Sequence, residues 1–103
     1  MNISSQRYID YSIVDEKIRE LAQASETSVT IPTWAVGEFA EHDEELNIVC
    51  DHHHTLQAAK EQGWTINFEI TEHPEGLTGQ DLLDACWMDS DWYDVETGDN
   101  VWA

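Results

Sequence analysis

A chain of 103 residues has room for one modest hydrophobic core, and 22 acidic residues against 4 basic ones give it a formal charge of -18. That field works against DNA, RNA and anionic membranes as direct ligands, because there is no basic patch to displace counterions from a polyanion. Charge on this scale accompanies disorder unless apolar surface offsets it; 41% hydrophobic residues and five tryptophans point to a folded chain.

In chain order, residues 6–11 are expected to form a first strand with Ile9 and Tyr11 on one face. Ser12 then caps a helix, with Asp15 at the matching capping-box position. Val14, Ile18, Leu21 and Ala22 recur at helical spacing and form its inward stripe, while Glu16, Lys17, Arg19 and Glu20 face water. Residues 25–28 are a polar connection. Residues 29–36 are β-rich, but Pro32 has no N–H to give a ladder, which predicts an edge strand or a break at the proline. Residues 37–45, carrying Glu38, Glu41, His42, Asp43, Glu44 and Glu45, read as an acidic hairpin loop.

Leu46, Ile48, Val49 and Cys50 make a short buried strand. Residues 55–62 make a helix with Leu56, Ala58 and Ala59 inward and Gly63 as its stop. Beyond it Trp64, Ile66, Phe68 and Ile70 alternate with polar residues, predicting a strand with one buried face that pairs with residues 46–50 through a parallel, right-handed crossover. Residues 73–76 form a turn. Thr78 caps a third helix with Asp81 at the matching position, and Leu82, Leu83, Cys86 and Trp87 pack inward. Residues 97–100 can close a hairpin between 93–96 and 101–102. The expected fold is α+β: one domain over 1–103, with a small mixed sheet and about three helices in residues 1–73 and an acidic, aromatic-rich helix–hairpin extension over 74–103.

Asp51, His52, His53, His54 and Thr55 fall where the buried strand runs into the second helix. The first N–H groups of a helix lack partners and its dipole favours negative charge, so a phosphate or carboxylate could dock there. The run Asp51-His52-His53-His54-Thr55-Leu56-Gln57-Ala58-Ala59, followed by Gly63, resembles the Asp-Gly-His-His-Arg-Leu-x-Ala-Ala-x-x-x-Gly signature of the ParB and sulfiredoxin superfamily. A looser likeness extends over residues 8–72 through the helix from Ile13 and the segment Ile31-Pro32-Thr33-Trp34-Ala35-Val36. The resemblance implies a ParB/sulfiredoxin-like core and, among the family's varied activities, nucleotide or phosphate handling; the fold alone names none of them. It makes Asp51, His53, His54 and Thr55 the candidate catalytic residues, with His53, His54 and Thr55 as phosphate ligands and a nucleotide as the possible cofactor.

This chain departs from the signature in three places. His52 stands where the family has glycine, Thr55 where it has the phosphate-clamping arginine, and His53 where the reductases carry their cysteine, with Cys50 three residues earlier. The bland alternative is that one histidine is a hydrogen-bonded core residue and the other two are exposed. The histidine spacing is not that of a zinc motif, and no metal site is expected.

From Glu61 onward the chain has eleven acidic residues and no lysine or arginine. There Asp89, Asp91, Trp92, Asp94, Glu96 and Asp99 mix rings and carboxylates in a pattern suited to a basic protein partner, since charges steer approach and rings bury area. The alternative is that the aromatics fasten the tail to the core. Cys50 and Cys86 are expected as reduced, small apolar residues in a cytoplasmic protein with no leader and no membrane span. The leading functional expectation is an acidic module that inhibits or regulates a basic nucleic-acid-binding protein as a DNA mimic, of the kind used in phage or plasmid counter-defence. The alternatives are a ParB-like nuclease or phosphotransferase at Asp51 to Thr55, and a ligandless domain that oligomerises through its aromatics.

Overall fold

A computed structural model describes residues 1–25, 27–39 and 42–102, with 38, 39 and 42–44 described through their backbone alone. Among these residues the elements run β1 (Asn2–Ser4), α1 (Tyr11–Gln23), β2 (Ser28–Phe39), β3 (His42–Ile48), α2 (His53–Gln62), β4 (Thr65–Thr71), α3 (Gly79–Cys86) and β5 (Tyr93–Asp94). The strands form one five-stranded mixed sheet in the order β4-β2-β3-β1-β5. β2 is antiparallel to β3 and parallel to β4; β1 is parallel to β3, and β5 closes the other edge antiparallel to β1. The fold is α+β, with three helices on the two faces of the sheet.

Strand alternation sorts the core into two layers. Val36, Leu46 and Ile48 turn to one face, where Leu82, Leu83 and Cys86 of α3 cover them together with Ile3. Val29, Ile31 and Val49 turn to the other, against Leu56 and Ala59 of α2, with Leu21 of α1 and Tyr93 at the margin. Among the described residues no helix is long and apolar enough to cross a membrane.

Several expectations are corrected by the sheet. The first strand is β1 rather than residues 6–11. Ile3 is completely buried between β3 and β5, whereas the backbone of residues 6 and 7 is bonded to the tail through Tyr93 Oη to Gln6 O and Arg7 N to Asp89 Oδ1. The cap of α1 is Asp10, not Ser12: its Oδ1 accepts from Ser12 N at 3.0 Å and Ser12 Oγ at 2.7 Å, and these bonds hold its carboxyl below the ordinary carboxylate pKa. Pro32 lies in an interior strand. Pairing of β2 with β3 begins at Trp34–Ile48, so Pro32 is past the end of that ladder and opposes Glu69 of β4 on its other side.

The acidic segment 37–45 is largely hairpin strand, although residues 40 and 41 lie outside the described residues. β4 pairs with β2 and not with β3. Since β3 and β4 flank β2 and run in opposite directions, α2 is not a crossover between parallel neighbours. As an edge strand β4 buries little: Ile66 and Phe68 are half-buried and Ile70 is 62% exposed. Thr78 occupies the cap position of α3 without a side-chain capping bond, and Trp87 points to solvent. The turn at residues 73–76 closes with Gly76 N to His73 O at 2.8 Å.

Candidate functional site

The strand-to-helix junction begins as β3 ends and Val49 N donates to Ile3 O at 2.8 Å. Asp51 Oδ1 accepts from His52 N at 2.7 Å, and His52 then takes the left-handed conformation, φ 65 and ψ 24. That is the position at which the resemblance places glycine. A side chain there crowds the following carbonyl, which destabilises this conformation by roughly 1–2 kcal/mol. α2 starts at His53, two residues before the expected start, and no side chain caps it.

The three histidines part company at once. His53 is buried, with Nε2 2.6 Å from Ser4 Oγ, which also accepts from Gln6 N at 3.0 Å. Burial lowers the pKa of His53, against the opposing pull of Asp51 and Asp89 and a hydrogen bond to the Val49 backbone, while His54 adds to the lowering. Which atom donates in this bond is set by the tautomer: a neutral ring protonated on Nδ1 accepts at Nε2 from Ser4 Oγ–H. His54 is half-buried, and its Nε2 accepts from Asp10 N at 3.1 Å, which pins the start of α1 to the start of α2. His52 and Asp51 are exposed and Thr55 is half-buried.

The candidate catalytic residues therefore do not converge. His53 serves Ser4, His54 serves a backbone N–H, and Asp51 bonds to its neighbour's backbone. The Ser4–His53 pair has the connectivity of a nucleophile and its base, but Ser4 is 1% and His53 5% exposed, leaving a substrate no access. Among the described residues no group of three or more His, Cys, Asp or Glu side chains is placed to hold a metal ion.

Two hollows flank the junction. One, of about 330 Å³, opens where β2 and β3 part and is lined by Pro32, Trp34, Ile48, Cys50, Asp51 and His52. Its Cys50 packs against the layer that holds Cys86; burial, with Cys50 beside it, pushes the Cys86 thiol up to about 12. Both cysteines are free. The other hollow contains Arg7 and Lys60, residues that sequence reasoning passed over, although two basic side chains out of four in one place was a signal that only their distance apart in sequence concealed.

The tail is pinned from below by Ser5. Its buried backbone carbonyl accepts from Asp89 N at 3.1 Å, Ser90 N at 2.8 Å and Ser90 Oγ at 2.8 Å, and its Oγ accepts from Met88 N at 2.8 Å. Of the expected partner-binding residues, Asp89, Asp91, Glu96 and Asp99 are exposed. Asp89 bonds Arg7 N, Asp94 Oδ1 accepts from Glu96 N at 2.8 Å, and Trp92 packs half-buried against the α3 layer. The rings that sequence reasoning sent outward and inward are exchanged: Trp92 fastens the tail, whereas Trp87 is 56% and Met88 48% exposed, within a few positions of the exposed Asp84, Asp89 and Asp91. Among the described residues the one ion pair is Lys17–Glu20 at 3.7 Å. No protein-family profile, curated protein or solved structure matches this chain.

Proposed function

We propose that this chain is an acidic protein-binding module that occupies the nucleic-acid-binding surface of a basic partner and so inhibits or regulates it, as a DNA mimic does. The observation that carries this reading is the exposed Trp87–Met88 pair, flanked in sequence by the exposed Asp84, Asp89 and Asp91, on a backbone held by Ser5. An aromatic ring on a rigid segment loses little entropy on binding, and unneutralised carboxylates around it speed association with a positively charged surface. The ring supplies buried area that charge alone would lack. A ParB-like core remains compatible with this role, with the left-handed backbone at His52 as the support for that kinship. The catalytic alternative has less behind it, because His53 and His54 spend their ring nitrogens inside the fold.

The test begins with capture of partners on the immobilised chain and proceeds to function. A captured basic protein should lose its own DNA binding when the chain is added, and Trp87→Ser should weaken that competition by roughly tenfold or more, the scale of an interface anchor. If the chain at saturation leaves the DNA binding of every captured protein unchanged, the mimic reading fails. Direct binding of the isolated chain to duplex DNA would count equally against it.

A further inference from the structure

The hollow containing Arg7 and Lys60 has an electrostatic character opposite to that of the molecule around it. It measures about 320 Å³, and among the described residues that line it are two of the chain's four basic side chains and no carboxylate, in a chain with 22 acidic residues. One wall is a single face of α2, where His53, Leu56, Gln57 and Lys60 follow at helical spacing. The segment before α1 supplies Arg7, and the tail supplies Tyr93.

Both cations are held in place by neutral groups. Arg7 Nη2 donates to Gly98 O at 3.0 Å and to Asn100 Oδ1 at 3.3 Å, and its guanidinium lies 4.1 Å over the Tyr93 ring. Lys60 Nζ donates to the Val95 carbonyl. Burial lowers the Lys60 pKa, with Asp94 and Glu96 acting the other way, yet neither reaches it as an ion pair. The side chains are thus oriented before any ligand arrives, their charges are not cancelled, and the remaining guanidinium donors of Arg7 are available for a carboxylate fork.

We infer that this cleft binds a small organic carboxylate of low charge, its head between Arg7 and Lys60 and its apolar body against Ile9, Tyr11 and the Tyr93 ring, the lining residues that keep apolar surface exposed. Two arguments set the ligand class. The volume lies at the lower end of small-molecule sites, enough for a single ring system with a carboxylate arm. The chain's charge of -18 opposes any anion in proportion to the anion's own charge, so two local cations suit one negative charge and not a polyphosphate. Because the tail forms one wall, an occupied cleft would also hold the tail against α2, and binding would raise the melting temperature by mass action.

The experiment is a titration of the isotope-labelled chain with acetate, benzoate and indole-3-acetate, alongside inorganic phosphate and ATP, read by amide NMR and by thermal melts. Saturable shifts confined to residues 7–11, 53–60 and 93–98 are expected with benzoate and indole-3-acetate, weaker with acetate, and reduced by added salt. Arg7→Gln should weaken binding roughly tenfold or more, as loss of a charged hydrogen bond does. That variant can also loosen the tail, so the deciding one is Gln57→Glu. It keeps the size and shape of a side chain with no hydrogen bond among those observed in the fold, and places a carboxylate in the cleft. Gln57→Glu should abolish binding and leave the ligand-free melt unchanged. Saturation by none of the carboxylates at millimolar concentration, tighter binding of phosphate or ATP than of benzoate, or binding indifferent to Gln57→Glu would each overturn the inference. These outcomes are independent of whether a basic partner exists.

Discussion

The junction at residues 50–55 and the tail at residues 86–102 are the two stretches in which polar and aromatic side chains crowd together, and the fold uses them in opposite ways. At the junction two of the three histidines are spent within the fold, His53 on Ser4 and His54 on Asp10 N, while the exposed Asp51 bonds the backbone beside it. In the tail the backbone of residues 88–90 is bound by Ser5, and the side chains of Trp87, Met88, Asp91 and Asp99 remain in water. Density of chemically capable groups is therefore a poor guide to a site. What decides is whether their hydrogen-bonding capacity is used up within the fold, because a buried polar group left without its partner is costly and folding recruits whatever is nearby to satisfy it.

The sharpest way to break this comparison is truncation on each side of it. His53→Ala should destabilise the protein by about 2–4 kcal/mol, since it empties a buried site and strands the Ser4 hydroxyl. Trp87→Ser should change stability by no more than about 0.5 kcal/mol despite the larger side chain removed, because that ring is exposed. Chemical denaturation of both variants reads the difference, and equal losses would mean that the tail, too, is a structural element.

Acid should act on the same buried imidazole. The folded pKa of His53 is lowered from 6.5, so the unfolded chain binds a proton first as pH falls. The His53 contribution is fully present above about pH 6.5 and is lost as pH falls toward the lowered folded value, with a slope of at most about 1.4 kcal/mol per pH unit for one proton. Urea melts across that window should show stability declining with acid in the native chain and a shallower decline in His53→Gln. Identical slopes would place the ring in water.

The two ends of α2 allow a finer comparison. His52 and Gly63 share nearly one conformation, φ 65 and ψ 24 against φ 69 and ψ 24, with a side chain at one end only. His52→Gly should stabilise by about 1 kcal/mol, and Gly63→Ala should destabilise by a similar amount, as the left-handed region dictates. Thermal melts that moved both variants in one direction would show that His52 is held by more than its backbone.

The smallest effect is expected from tail charge. Asp91→Lys with Asp99→Lys removes no observed side-chain hydrogen bond, and stability should stay within about 0.5 kcal/mol, with any gain confined to low salt. Association with a captured basic partner should nevertheless slow, and salt should slow the native chain in the same way. Unchanged association at low salt would move the interaction surface away from the tail.

Much of the local structure was legible in the chain. Gly63 ends α2 in the left-handed conformation, Leu82, Leu83 and Cys86 mark the buried side of α3, and the turn at 73–76 forms where proline and glycine place it. Each of these depends on residues within a few positions of one another, where helical spacing and backbone freedom are written directly in the sequence. The strand order, the exposed edge at Ile70, the Ser4–His53 bond across 49 positions and the meeting of Arg7 with Lys60 were not legible. A strand's alternating pattern says which face is apolar but not which neighbour it pairs with, since backbone ladder bonds are the same for every partner. The sequence by itself determined the stop of α2 at Gly63, the turn at 73–76, the buried side of α3 and the overall negative charge. The tertiary structure alone decided which histidine was buried, which tryptophan was left in water and where two of the four cations came together, because each depends on the sheet bringing distant segments into contact.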